Sequence, residues 1–274
     1  MSIEIDILQK FNQAFETYKT LIIKDNWSLE TVADLLNDFT YNSNKIEGLT
    51  LTYGETIQFL SNALVESKTS KIFNLNEDIR MLENHQKALK LIFNQYLNNH
   101  FTLDFIIQIQ SIIVSSGNEL DDFLEKGKGV LRRGNETIYT VLSNGAIKEF
   151  CKPEFVEDEL LKLINEVNLQ LSKASFNDFE NHPFKIAIDF HTRFLNIHPF
   201  KDGNGRTARL LMNSILLNFK IPPLAPVSDL DGRATYLKTF ESCDLEKNNI
   251  PMLVLMTNQV IDIINKQITL KSRN

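Results

Sequence analysis

The chain has 274 residues, 43% of them hydrophobic, with 35 acidic against 29 basic side chains and a net charge of −6. That is ample for a packed core in one large domain or two small ones, and the acidic balance argues against non-specific nucleic-acid binding as the main activity. There is no run of about twenty apolar residues and no basic region in Met1-Ser2-Ile3-Glu4-Ile5-Asp6, and only Cys151 and Cys243 are present, so the expectation is a cytoplasmic protein with reduced thiols, without membrane span, signal peptide or disulfide framework.

Ile7, Phe11, Phe15, Tyr18 and Ile22 recur at three-to-four spacing, which predicts an amphipathic core helix over residues 3 to 23. A second helix is predicted from Leu29 to Phe39. In the segment that follows, Ser43 and Glu47 lie four apart, so one helical turn can present a carboxylate with a hydroxyl braced behind it. Glu55 to Leu64 and Leu75 to Leu97 continue as helices, the latter with Ile79, Leu82, Ala88, Leu89, Ile92 and Phe93 as a buried stripe. His85 and His100 are expected at the surface or in caps. Thr102 reads as the N-cap of a helix carrying Phe105, Ile106, Ile109, Ile112 and Ile113, which Gly117 stops.

The pattern changes after Gly127. Recurring glycines, the β-prone run Thr137 to Val141 and the turn signal Ser143-Asn144-Gly145 predict a β-hairpin within Gly127 to Phe150. Pro153 then opens a helix from Glu154 to Leu171, and Pro183 opens one from Phe184 to Asn196. His191 on the latter is expected to be a hydrogen-bonded core group, since no HExxH pattern or cysteine cluster accompanies it. Asp231-Gly232-Arg233 reads as a turn ahead of helices from Ala234 to Cys243 and Ile250 to Gln267.

The chemistry gathers in His198 to Arg209. Pro199 disfavours helix at His198, so the preceding helix ends there with the imidazole at the mouth of a loop, placed like a general base. Gly203 and Gly205 flank Asn204 and let backbone N–H groups turn toward an anion, and a helix from Arg206 to Asn218 points its positive end at the same place. Arg206 and Arg209, three apart, both reach a polyphosphate with forked hydrogen bonds. Asp202 beside such a site makes sense with Mg²⁺ between carboxylate and phosphate. The stretch fits neither a calcium loop nor a Walker loop.

On these residues the chain resembles the Fic family, whose signature HPFx(D/E)GNGRxxR is filled at every position from His198 to Arg209. The resemblance spans roughly residues 40 to 265. It implies an all-α Fic-type helical bundle with a small β-hairpin flap. Three parts are expected: an N-terminal helical region (1–100), a core with flap and catalytic loop (101–220) and C-terminal helices packing on it (221–274). It implies an enzyme that transfers AMP from ATP to a Tyr, Thr or Ser hydroxyl of a target protein, the chain itself included, with a homodimer admitted and no nucleic acid or membrane as partner. His198 then takes the hydroxyl proton, Asp202 holds Mg²⁺, Gly203, Asn204 and Gly205 cradle the α- and β-phosphates, and Arg206 and Arg209 hold the β- and γ-phosphates.

Ser43, Glu47 and Gly48 fill the family's inhibitory pattern (S/T)xxxE(G/N), which implies that Glu47 occupies Arg209 when no target is bound. The hairpin implies a flap that clamps the target as an added strand. Ile138 and Tyr139 are candidates for that clamp or are ordinary strand residues, and either Arg132 or Arg133 is the flap-base arginine. Tyr236 fits an aromatic position of the adenosine pocket, and Asp244 stands where relatives often have Asn. Three other readings stay open: removal of AMP by hydrolysis at the same site, a Doc-like phosphotransferase toxin, and a non-enzymatic transcriptional regulator. Against the toxin stands the retained GNGR; against the regulator stands the lack of a basic recognition helix.

Overall fold

The computed structural model describes residues 3–23, 27–62, 75–95, 100–142, 144–227 and 229–273. In chain order these form α1 (Ile3–Tyr18) with a π-helical extension (Lys19–Ile23), α2 (Leu29–Ile46), α3 (Tyr53–Asn62), α4 (Leu75–Gln95), α5 (Leu103–Val114) and α6 (Glu119–Lys126). A hairpin of β1 (Tyr139–Val141) and β2 (Ile147–Glu149) follows, then a 3₁₀ turn (Pro153–Phe155), α7 (Val156–Leu171), α8 (Pro183–Ile197), α9 (Asn204–Asn218), α10 (Leu230–Glu246) and α11 (Ile250–Arg273). This is the expected all-α bundle with one small antiparallel hairpin, in which Thr140 pairs with Lys148. Among the described residues no helix is long and apolar enough to cross a membrane, and both cysteines are free.

α8 and α9 form the centre. Phe184, Phe190 and Phe194 on one and Leu210, Leu211 and Met212 on the other are fully buried, so the loop 198–203 between them is carried by two close-packed helices. α7 packs on α8, α5 on α9, and α1 on α11, all within one hydrophobic cluster that runs from Ile7 to Ile264. A second, small cluster of Leu49, Leu60 and Leu82 ties α3 to α4.

Several boundaries differ from the sequence expectation. α2 does not stop at Phe39. It runs to Ile46 because nothing before Gly48 breaks it, and its polar residues Thr40, Ser43 and Asn44 are buried against neighbouring elements. Gly48, at φ 106°, provides the break in a backbone region other residues resist. α6 was not foreseen, although Asn118 caps its first turn through the Asp121 N–H and Gly127 closes it in the left-handed region. Asp231-Gly232-Arg233 is not a turn but the first turn of α10, nucleated by Asp229, whose carboxylate accepts the Gly232 N–H at 2.7 Å.

His85 is not at the surface. It is fully buried between α4 and α2, its Nδ1 3.2 Å from Thr40 Oγ1 and its ring 5.0 Å from that of Phe39. Phe93, expected in the buried stripe, is 38% exposed. The ends of the helices expected over Glu55–Leu64 and Leu75–Leu97, and Ser143 of the hairpin turn, lie outside the described residues.

Candidate active site

α8 ends at Ile197, and His198 takes the left-handed conformation, φ 52°, as its C-cap, its N–H still bonded to the Phe194 carbonyl at 2.9 Å. A non-glycine residue holds that conformation only when its surroundings fix it. Arg132 does so. Its guanidinium, 1% exposed, donates from Nε to the His198 carbonyl at 2.6 Å, from Nη2 to Ile197 at 3.0 Å and Cys151 at 2.7 Å, and from Nη1 to Glu136 at 2.8 Å. One planar fork thus satisfies carbonyls left open by a helix end and joins them to the flap base. Arg133 is exposed, so Arg132 is the arginine at the base of the flap.

The His198 ring lies 4.4 Å, centroid to centroid, from Phe150. Burial, reinforced by the charges of Arg132 and Lys148, pushes its pKa down to about 4, so the imidazole is neutral at physiological pH.

Asn204 keeps the loop closed. Its Oδ1 accepts the Phe200 N–H at 2.9 Å and its Nδ2 donates to the Phe200 carbonyl at 2.7 Å, so its side chain is spent on the loop. Gly203 stands at φ 81°, and a Cβ there would come within 2.7 Å of Val114. α9 starts immediately after it, with the unbonded N–H groups of a first helical turn. Asp202, with a side chain 49% exposed, accepts the Gly203 N–H at 2.6 Å through Oδ1. No group of three or more His, Cys, Asp or Glu side chains forms a metal cage among the described residues. A lone carboxylate at a helix N-terminus does fit a hard cation that arrives with its own phosphate oxygens and waters.

Arg209 is 1% exposed and points at the C-terminal end of α2. Its Nε donates to Ser43 Oγ at 3.0 Å, and its Nη2 donates to the Ser43 carbonyl at 2.9 Å and to Glu47 Oε1 at 2.7 Å. Glu47 is the C-cap of α2. Burial by itself would raise its carboxyl pKa, but the Arg209 charge and hydrogen bond, helped by Arg206 and Arg233, hold it below the usual carboxylate range. Gly205 makes the approach possible, because a Cβ there would overlap Glu47 Oε1. Arg206 reaches the Ile113 carbonyl at 3.4 Å and lies 3.9 Å from Asp202, and its buried Nε has no hydrogen-bond partner among the described residues.

A cavity of about 520 Å³ brings together His198, Gly205, Arg209, Glu47, Tyr236 and Asp244. A smaller one of about 230 Å³, walled by Asp202, Arg206, Arg80 and Lys126, meets it at Glu47. Tyr236 is buried, its hydroxyl 2.9 Å from His191 Nε2, which leaves His191 as the hydrogen-bonded core group expected. Asp244 pairs with Lys148 of β2. The hairpin residues that line the cavity are Thr140, Val141, Leu142, Lys148 and Phe150. Ile138 and Tyr139 do not: Ile138 gives its carbonyl to the Phe150 N–H at 3.0 Å, and Tyr139 stands 65% exposed.

Two contributors escaped the sequence reading. Arg233, a turn residue by local pattern, donates to the Ile46 carbonyl at 3.0 Å and so bonds α10 to the end of α2 beside Glu47. The Asp229 cap was the signal that would have placed it on a helix. Lys148 gave no local signal, because its partners Asn196 and Asp244 are 48 and 96 positions away.

Residues 100–216 match the Fic/DOC family model. The chain is 29% identical over 197 residues to the protein adenylyltransferase Fic of Nematostella vectensis, covering 67% of this chain and 38% of that protein. It is 30% identical over 113 residues to the Fido domain-containing protein DDB_G0283145 of Dictyostelium discoideum, covering 38% of this chain and 74% of that one. It thus spans about two fifths of the adenylyltransferase relatives it matches, 38% and 43% for two of them. In fold it is similar to a Fic domain containing signaling protein from Bacteroides thetaiotaomicron, with a TM-score of 0.77, 24% identity, and coverage of 96% of this chain and 98% of that one.

Proposed function

This chain belongs to the Fic/DOC family, and on that premise we propose that it is a protein adenylyltransferase held in check by its own α2, moving AMP from ATP to a hydroxyl of a protein target. The observation that carries the reading is the Glu47–Arg209 pair at 2.7 Å, set in the same cavity as a neutral His198. The adenylyltransferase names of the relatives support the reaction class.

In this reading an imidazole nitrogen of His198 takes the proton of the incoming hydroxyl as its oxygen attacks the α-phosphorus. The new O–P bond forms while the bridge to the β-phosphate breaks, and pyrophosphate carries the electron pair away. The first N–H groups of α9 and the Arg206 guanidinium receive the phosphate oxygens, in a place where the helix dipole favours negative charge. Asp202 is the residue that would hold Mg²⁺, which when bound neutralises charge on the phosphates.

Arg209 would complete this set, but its guanidinium is already taken by Ser43 and Glu47. A triphosphate then lacks its outermost partner and settles with the α-phosphorus out of line for attack. The Glu47→Gly protein, incubated with lysate, should transfer label from α-labelled ATP and none from γ-labelled ATP. Transfer from γ-labelled ATP would replace this reading with phosphotransfer. A second reading rests on Glu47 sharing the cavity with His198: a carboxylate there can align water, and loss of AMP from a modified protein would reveal hydrolysis at the same site.

A further inference from the structure

This inference deepens the proposed function and rests on the larger cavity being a nucleotide site. The cavity runs along α10 from Arg233, beside Glu47 and the end of α2, to Asp244, eleven positions or about 16 Å further along the helix. The charged anion-binding groups stand at the first end. The far end is closed by Lys148 and Asp244, whose side chains are 15% and 20% exposed.

The Lys148 ammonium lies over the Phe240 ring, 4.5 Å from its centroid, and over the Phe150 ring at 5.1 Å, so two aromatic faces hold the cation at this end of the cavity. Lys148 also donates to Asn196 Oδ1 at 2.5 Å, which fixes its position from the α8 side. Asp244 gives Oδ2 to the lysine, and its Oδ1 takes no hydrogen bond from a described residue. Toward the cavity the pair therefore offers one donor followed by two acceptors.

The Watson–Crick edge of guanine is the complement of that series, with the O6 acceptor followed by the N1–H and N2–H donors. Adenine matches it less fully. Its N1 can accept from the lysine and its N6 amine can donate to one carboxylate oxygen, but no donor remains for the other.

We propose that Lys148 and Asp244 read the nucleobase, and that the cavity binds guanine nucleotides at least as tightly as adenine nucleotides. The hydrogen bond from the N2 amine to the ionised acceptor corresponds to about tenfold in affinity.

The test is displacement of a ribose-labelled fluorescent ATP from the 274-residue chain by ATP, GTP and ITP. GTP should displace the probe at or below the concentration that ATP requires. ITP lacks the N2 amine and should need about tenfold more than GTP. Asp244→Asn, checked for folding by its thermal melt, should weaken GTP about tenfold and leave ATP within about threefold. ATP displacing the probe while GTP fails would overturn the base-reading proposal and leave the nucleotide site standing. Equal displacement by GTP and ITP would overturn it as well, with no variant involved. Failure of the probe and all three nucleotides to bind would remove the nucleotide site itself, and the proposal with it.

Discussion

Glu47 and Arg209 are 162 positions apart in sequence and 2.7 Å apart in space, with Arg209 buried and Glu47 open on one side to the cavity that holds His198. A buried guanidinium needs its donors satisfied. Here Ser43 and Glu47, one turn apart on α2, take the Nε and Nη2 donors of Arg209, so the charge is paired inside the fold.

Removing the carboxylate should therefore change catalysis more than affinity. In the Glu47→Gly protein, transfer from α-labelled ATP is expected to rise tenfold or more, by about 1.4 kcal/mol, while the ATP dissociation constant moves much less. Ser43→Ala removes only the Oγ contact and leaves the Ser43 carbonyl in place, so it should raise transfer by about fivefold, the worth of one hydrogen bond near 1 kcal/mol. Equal labelling by wild type and Glu47→Gly in a transfer assay would make Glu47 a structural cap only.

His198→Ala in the Glu47→Gly background should lower transfer by about 10²- to 10⁴-fold with ATP binding retained, because a general base touches the incoming hydroxyl. With the His198 pKa near 4, the imidazole is in its basic form above that value and is lost as base below it. The rate should stay level between about pH 6 and 8 and fall only toward pH 4. A break near pH 6.5 in the rate profile would mean that the burial seen here is relieved in the working enzyme.

Asp202→Ala in the same background should leave a low residual rate that no longer responds to added Mg²⁺, since the loop would have lost its one carboxylate. A full Mg²⁺ titration curve in that variant would assign the metal to another residue.

Gly205→Ala puts a methyl group where Glu47 Oε1 lies. The expected cost is about 1–3 kcal/mol of overpacking in the wild type. In the Glu47→Gly background only Arg209 Nη1, at 3.1 Å, stays close to the methyl, so the cost should fall and alanine's better helix propensity, worth about 1 kcal/mol, should offset it. Thermal melts of the four proteins give the coupling directly. Equal shifts in both backgrounds would mean that Glu47 does not rest against Gly205 in solution.

Acid should unfold the protein early. Burial depresses His182 and His198 to about 4 and His85 and His191 to about 3, with nearby cations adding to the effect at His85, His191 and His198. Between the unfolded value of 6.5 and these folded values the unfolded chain binds the extra protons, so stability is full above about pH 6.5 and falls as pH drops through the window. Each histidine contributes a slope of about 1 kcal/mol per pH unit there. Urea midpoints from pH 7 to 4.5 should show the decline, and His85→Gln should flatten it. An unchanged slope in that variant would mean that His85 is protonated in the fold.

The sequence by itself determined what depends on neighbours a few positions away. The period of Ile7, Phe11, Phe15 and Tyr18, the Thr102 cap, the halt at His198-Pro199 and the loop-to-helix run through Gly203 and Gly205 are set by backbone sterics and by i,i+4 proximity, and they appear as read. The choice of Arg132 over Arg133, the burial of His85, the clasp of Arg233 on Ile46 and the pairing of Lys148 with Asp244 were decided by tertiary structure. Each is an interaction between groups tens to hundreds of positions apart, chosen by which carbonyl, carboxylate or apolar face the packed helices bring within reach. Local propensity carries no information about that choice, because desolvation and hydrogen-bond geometry act on distance in space.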